Sequence, residues 1–254
     1  MRRAALGAFL CLGAGSLLFD LGLPLRLPGD GDWAEAAGAL RAAARPADAV
    51  QIWPAWAERA RVFVDAMPVL FEEDPAQADY AGVGRLWVLS LPRTPFFRDP
   101  SSKLLARGAV ADGPERRFGA LALRAWDLRQ PAIAADLTGG REEHEVDYVA
   151  RRCLRLPIGA RHVARGAAGS SLHLRAGVIG ERAYDAGRPP IEVEAWADGV
   201  RLGRLEVPRT ERDGTGWRRL DLPMPAGAEV REFAFAVWSP DRERPFCLQA
   251  WTTR

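Results

Sequence analysis

Two textures of hydrophobic patterning divide the chain. In the first half, apolar residues recur at helical spacing or gather in short continuous runs. Trp33, Ala36, Ala37, Leu40 and Ala44 fall on one helical face. Asp32 stands as the N-cap with Glu35 three positions on, and Pro46 closes the segment. Val50 to Trp53 reads as a short buried strand, and Ala55 to Asp65 as a second helix with Trp56, Ala60, Phe63 and Val64 inward. Arg85 to Leu91 is rich in β-formers, Asp99-Pro100 opens a helix that buries Leu104 and Leu105 before Gly108, and Phe118 to Trp126 alternates as a last strand.

From about Thr138 helical periodicity gives way to alternation. Leu172, Leu174, Ala176 and Val178 share one strand face, with His173 and Arg175 on the other. Ile191, Val193 and Ala195 alternate with Glu192, Glu194 and Trp196. Asp198-Gly199 then supplies a two-residue hairpin turn into Val200 to Val207. His144 to Val149, Arg152 to Ile158, Trp217 to Leu222, Glu232 to Trp238 and Phe246 to Trp251 bring the series to about eight strands. The expected fold is a small α/β domain with a largely parallel sheet, followed by an all-β jelly-roll sandwich. The expected boundaries are 1–27 for a signal or transmembrane helix, 28–136 for the α/β domain and 137–254 for the sandwich.

The N-terminus sets the compartment. Arg2 and Arg3 precede an uncharged stretch from Ala4 to Phe19, closed by Asp20, the pattern of an export signal or an N-in membrane anchor. Ala14-Gly15-Ser16 offers a weak cleavage site for the former. Export changes the reading of the cysteines: Cys11 lies in the apolar segment, which leaves Cys153 and Cys247 to pair in an oxidising compartment, the alternative being two buried thiols. A formal charge of +2 on 254 residues gives no electrostatic case for nucleic acid. The basic residues are almost all arginine, with Lys103 the exception.

Candidate chemistry is sparse. Glu192 and Glu194 share a strand face but enclose no substrate, and a solvated sheet face accounts for them. Arg141 to Asp147 gathers Glu142, Glu143, His144, Glu145 and Asp147, which reads as a charged linker before it reads as a metal site. His162 and His173 lack metal-spaced partners, no serine sits in a nucleophile elbow, and Gly166 to Ser171 lacks the lysine and helix of a phosphate loop. No catalytic residue, metal or cofactor is assigned. The tryptophans carry more: Trp196, Trp217 and Trp238 are candidates for stacking on sugar, against the plainer reading of core packing. Trp53 and Trp56 have a membrane-surface position as a further reading.

The first half resembles a known arrangement. Asp32-Trp33-Ala34-Glu35-Ala36-Ala37, Leu40, Pro46-Ala47-Asp48-Ala49-Val50, Gly84-Arg85-Leu86-Trp87-Val88-Leu89 and Phe118-Gly119-Ala120-Leu121, behind an apolar span, are similar to the extracytoplasmic region after the last membrane helix of bacterial polytopic glycosyltransferases of the dolichyl-phosphate-mannose mannosyltransferase-like class (family 39-like). The catalytic acidic residues of that class lie between early membrane helices that have no counterpart here, so nothing catalytic carries over. The resemblance implies an inner-membrane, periplasm-facing location and an accessory role around lipid-linked sugar. More loosely, Ala176-Gly177-Val178, Asp198-Gly199, Gly216-Trp217-Arg218 and Phe246-Cys247-Leu248 resemble galactose-binding-like jelly rolls. The sequence therefore reads as a non-catalytic, membrane-anchored module of envelope glycan metabolism, with carbohydrate, lipid-linked sugar or other envelope proteins as partners. The alternatives are a free-standing carbohydrate-binding protein and a structural envelope protein without a small ligand.

Overall fold

A computed structural model describes residues 12–13, 15–17, 27–54, 57, 59–64, 67–70, 75–92, 100–128, 131–139, 142–146, 149–180, 188–207 and 216–254, with the side chains of 226–228 excepted. The chain forms two compact units: Met1–Val69 with Val83–Arg129, and Leu70–Gly82 with Gln130–Arg254. The expected anchor and Cys11 fall almost wholly outside the described residues, as do Trp56 and Asp147. No helix among the described residues is long and apolar enough to cross a membrane.

In the first unit, α1 (Asp30–Ala43) buries Trp33, Ala36, Ala37 and Leu40 as the periodicity requires. It starts two residues earlier than expected: Asp32 is not the N-cap but lies inside the first turn, its carboxylate accepting the Gly29 N–H at 3.0 Å. Of the second expected helix, only a single turn, α2 (Ala60–Phe63), is present among the described residues. The sheet places β1 (Asp48–Trp53) parallel to β3 (Arg85–Ser90), with the short β2 (Val69–Leu70) beyond β1. β5 (Leu121–Asp127) then pairs antiparallel to β3, and β4 (Val110–Phe118) antiparallel to β5. The sheet is mixed, not largely parallel. The physical reason is local: Gly119 and Ala120 close a tight connection after Phe118, so the expected single strand Phe118 to Trp126 is one arm of a hairpin. In α3 (Ser101–Ala106), Leu104 is buried as expected, but Leu105 is 59% exposed.

Asp48 and Arg85 begin β1 and β3 as direct register partners. Asp48 Oδ2 accepts from Arg85 Nη2 at 2.7 Å, Trp87 Nε1 at 2.9 Å and the Arg45 N–H at 3.0 Å. Arg85 also reaches the Ala43 carbonyl and Asp112, so one buried guanidinium ties the end of α1 to three strands.

The second unit is a β-sandwich made by folding one sheet over. Its strands are β6 (Ile133–Asp136), β7 (Glu142–Val146), β8 (Val149–Leu156), β9 (Arg161–Val178), β10 (Ile191–Ala197), β11 (Val200–Val207), β12 (Arg218–Trp238) and β13 (Phe246–Thr253). Their order is β11-β10-β12-β9-β13-β8-β7, with β6 also on β13. Both β9 and β12 are long enough to serve two layers. The expected strands Trp217 to Leu222 and Glu232 to Trp238 are the two ends of β12, whose register against β9 breaks between Pro223 and Val230, opposite Gly169. Gly169 has φ +67°, and a Cβ there would collide with the Thr253 carbonyl, so the bend requires glycine. Beyond the bend Phe233, Phe235, Ile191, Val193 and Ala195 face Leu172, Leu174, Ala176, Phe246, Leu248 and Ala250 in one core. Gly203 of β11 lies against Leu220 and Leu222 of β12, which fixes the layers face to face.

Cys153 of β8 and Cys247 of β13 form the expected disulfide, with Cα atoms 5.8 Å apart. The two strands are adjacent, which brings the cysteines together.

A departure from the expected boundaries lies in Leu70–Gly82. This strap belongs with the sandwich, and a 3₁₀ turn in it, Gln77–Tyr80, carries Asp79. The Asp79 side chain is 2% exposed, accepting from Arg175 Nε at 2.7 Å and Arg151 Nη1 at 3.1 Å. Replacing Asp79→Asn removes the carboxylate that Arg175 and Arg151 share and leaves Arg175 only the half-exposed Asp221, and is expected to cost about 3 kcal/mol, read from urea unfolding. Replacing both Cys153 and Cys247 by serine reopens a 94-residue separation and is expected to cost about 4–5 kcal/mol by chain entropy. The check is whether reduction of the native protein lowers the unfolding midpoint to that of the double variant.

Candidate functional site

Alternation along a strand sends its residues to two faces, so each layer of the sandwich has an outward face. The two outward faces are unlike one another.

The first belongs to β11, β10, residues 230–238 of β12 and residues 161–167 of β9. Burial along β10 alternates without a break, with Ile191, Val193, Ala195 and Ala197 inward and Glu192, Glu194 and Trp196 outward. Registers then assemble rows across the face. Trp196 pairs with Ala234, which pairs with Val163; Glu194 pairs with Ala236, which pairs with Arg161; Glu192 pairs with Trp238. Trp196 and Trp238 therefore look out on the same side, four residues and one strand apart, or about 14 Å at the backbone. Ala234 and Ala236 form the floor between them. Trp238 is 55% exposed and Val163 48% exposed.

Glu192 and Glu194 are ion-paired here, Glu192 to Arg204 and Glu194 to Arg201 at 3.1 Å. Their oxygens are occupied by neighbouring cations on a solvated face, which suits a polar surround to an aromatic platform and not a pair of reacting carboxyls.

The second face belongs to residues 218–223 of β12, residues 171–178 of β9, β13 and β8. Here the strap docks, and the buried Asp79 is the head of a polar chain that runs out to the half-exposed Asp221. Arg175 passes from Asp79 to Asp221, Nη1 to Oδ1 at 2.9 Å. Asp221 Oδ1 lies 2.8 Å from His173 Nδ1, and His173 Nε2 lies 3.0 Å from Thr253 Oγ1. With Asp221 ionised, the Nδ1–H of His173 donates to it. The Trp251 ring stacks on His173 at 5.4 Å and lies under the Arg175 guanidinium at 5.1 Å.

The order carboxylate, imidazole, hydroxyl is that of a hydrolase triad. Reach decides against that role: Thr253 is 2% exposed, and a nucleophile must meet its substrate. The chain of bonds satisfies polar groups beneath a docked segment. Sequence reasoning placed His173 and Arg175 on one strand face but had no signal for Asp79, which lies 96 residues from Arg175.

Trp217 is not brought together with Trp196 and Trp238. It immediately precedes β12, at the end opposite Trp238, and its Nε1 donates to the Val149 carbonyl at 2.8 Å. Arg151 lies over its ring at 5.8 Å. Among the acidic residues proposed as a linker, Glu142, Glu143, His144 and Glu145 alternate along β7, which divides them between two faces. Among the described residues no three His, Cys, Asp or Glu side chains gather as a metal site would need. His162 is tied to the Leu137 carbonyl at 2.9 Å. In the first unit an open concavity of about 430 Å³ is lined by Arg41, Arg45, Asp48, Met67 and Pro68. Arg41 there is held by the Phe63 carbonyl, and Asp48 by Arg85.

No protein-family model and no curated protein sequence matches the chain. Among solved structures it is similar to CBM51-2 in complex with GlcNAc, with INT domains, from Clostridium perfringens ZmpB. The identity is 9%, over 57% of this chain and 36% of that one, with a TM-score of 0.34. A family 35 carbohydrate-binding module from an environmental isolate gives 12% identity over 48% and 88%, with a TM-score of 0.29. The insecticidal delta-endotoxin Cry8Ea1 of Bacillus thuringiensis gives 6% over 57% and 30%, also at 0.29. This chain spans about a third of the length of the first and last of these. Ligands of proteins this distant are not transferred, and the function of this chain is argued from its own residues.

The second face also sets an acid sensitivity. Burial alone would raise the Asp221 carboxyl, but hydrogen bonds from His173 and Arg175 and their charges together hold it down at about 2. A lowered folded value stabilises above the unfolded value near 4, and that stabilisation is lost as pH falls towards 2. Urea midpoints measured from pH 6 to pH 2 are expected to fall across that window. The fall should be shallower in Asp221→Asn, which lacks the titrating group.

Proposed function

We propose that the second unit is a non-catalytic carbohydrate-binding module, a sandwich of galactose-binding-like type. Its ligand lies across the outward face of β10 and β12. The observation that carries the reading is the presentation of Trp196 and Trp238 on one side of one sheet, with small residues between them and charged, hydrogen-bonding side chains around them.

Each part has a physical use. An indole ring offers a flat apolar surface to the C–H face of a pyranose, while its N–H and the surrounding polar groups meet the hydroxyls. A Trp left more than half exposed at a strand end contributes little to folding, so its use lies outside the core. Two rings about 14 Å apart on an extended sheet suit a ligand longer than one sugar. A few placed polar groups around an aromatic platform fix orientation, as in small-molecule sites generally. The Glu192, Glu194, Arg201 and Arg204 ion pairs supply such groups with their charges already balanced.

The location belongs to the same proposal. The Cys153–Cys247 disulfide is of the kind that persists in oxidising compartments. Together with the Arg2-Arg3 and Ala4 to Phe19 pattern, it supports an extracytoplasmic site of action, where polysaccharide is met.

Affinity electrophoresis against a panel of soluble polysaccharides tests the reading. At least one polysaccharide is expected to retard the native protein, and Trp238→Ala to weaken that retardation by tenfold or more. Because Trp238 is exposed, the substitution should leave the unfolding midpoint within about 0.5 kcal/mol of the native value. A protein that no polysaccharide retards, or whose retardation survives loss of both Trp196 and Trp238, does not use this face for sugar.

A further inference from the structure

The charges on the first outward face are paired, with one exception. Glu192 meets Arg204, Glu194 meets Arg201 at 3.1 Å, Glu206 lies 3.8 Å from Arg204, and Glu232 lies 3.6 Å from Arg165. Arg161 stands in the middle row of the same face, exposed, and has no ion pair or side-chain hydrogen bond among the described residues. Its register partner is Ala236, a residue with nothing to offer a guanidinium. Trp238 lies two residues further along β12 on the same side, so the backbones of Arg161 and Trp238 are about 8 Å apart.

That spacing defines a second contact for whatever lies on the tryptophan. A sugar ring stacked on Trp238 with its exocyclic substituent turned along the sheet would bring that group over Ala236, within reach of Arg161. A neutral hydroxymethyl group there would leave the guanidinium to water. A carboxylate would meet the planar fork in bidentate geometry, which is the recognition arginine performs best.

Resting on the carbohydrate-binding reading above, we propose that the ligand is an anionic glycan whose acidic group, a uronic carboxylate or a sulfate ester, pairs with Arg161 while its ring stacks on Trp238. The paired arginines of the face contribute little selectivity, because a glycan anion would have to displace a glutamate from each. Arg161 has no such competitor. It is the residue that turns a general sugar platform into one that prefers acidic chains.

Affinity electrophoresis of the full chain separates the claims. The probes are polygalacturonate, carboxyl-reduced polygalacturonate, dextran sulfate and unmodified dextran. Polygalacturonate or dextran sulfate is expected to bind at least tenfold more tightly than its neutral counterpart, and which of the two does so identifies the acid. Arg161→Ala is expected to abolish that preference. Arg161→Lys should restore part of it, and Arg165→Ala, which removes a paired arginine from the same face, should change affinity less than twofold. Equal binding of acidic and neutral chains, with Arg161→Ala silent, overturns the acidic preference and leaves the carbohydrate reading standing. Equal losses from Arg161→Ala and Arg165→Ala show unspecific charge attraction and overturn it as well. Retardation by none of the four, nor by any neutral polysaccharide of the wider panel, removes both.

Discussion

The second unit depends on a carboxylate that the sandwich does not itself supply. Asp79 comes from a strap far upstream, and its side chain, 2% exposed, reaches Arg175 and Arg151. Two arginines on one sheet face, buried without an anion, would be costly in desolvation. Burial would by itself raise the Asp79 carboxyl, but the charges of Arg151 and Arg175, with hydrogen bonds from Arg175 and the Ala76 N–H, hold it below the usual carboxylate range. The strap is therefore part of the fold, and a boundary drawn by contiguous sequence would cut through it. From Arg175 the hydrogen bonds run on through Asp221 and His173 to Thr253.

The strap docks on one outward face of the sandwich, and the other presents Trp196 and Trp238. The same alternation produces both outcomes. On β9 it sends Arg175 to the strap with His173 on the same side, and twelve residues earlier it sends Arg161 and Val163 out to solvent across the Gly169 bend. Long strands shared between layers let one sheet carry a locked face and an open one. The first unit uses the same device on a smaller scale, with the Asp48–Arg85 pair at its strand ends doing for β1 and β3 what Asp79 and Arg175 do for the strap.

How much of this was legible in the sequence follows from how local each signal is. Alternation in Ile191 to Ala197, the Asp198-Gly199 turn and the helical stripe of Trp33 to Leu40 are short-range patterns, and each appears where it was read. The turn residues have φ +47° and +81°, the left-handed pair that such a hairpin needs. β4 was missed because Val110–Phe118 is exposed along nearly its whole length and contains Gly113 and Pro114, so it carries neither alternation nor a hydrophobic run. The platform was half legible: Trp196 and Trp238 could be placed outward by parity, but Trp217 has the same composition signal and lies elsewhere. Arg161 could not be singled out, since being unpaired is a property of the assembled face. Asp79 was invisible because its partners are 72 and 96 residues away.

That separation has a consequence for how the protein is made. A chain that emerges from its N-terminus presents Asp79 long before Arg151 and Arg175 exist. Through that interval the strap is an acidic segment without its arginine partners, and the strands that will receive it close only when β13 pairs with β8 and β9. Completion of the sandwich thus waits for β13 to emerge. A nascent chain held before β13 emerges would leave the strap open to proteases and chaperones, so this unit matures only once β13 is available to pair.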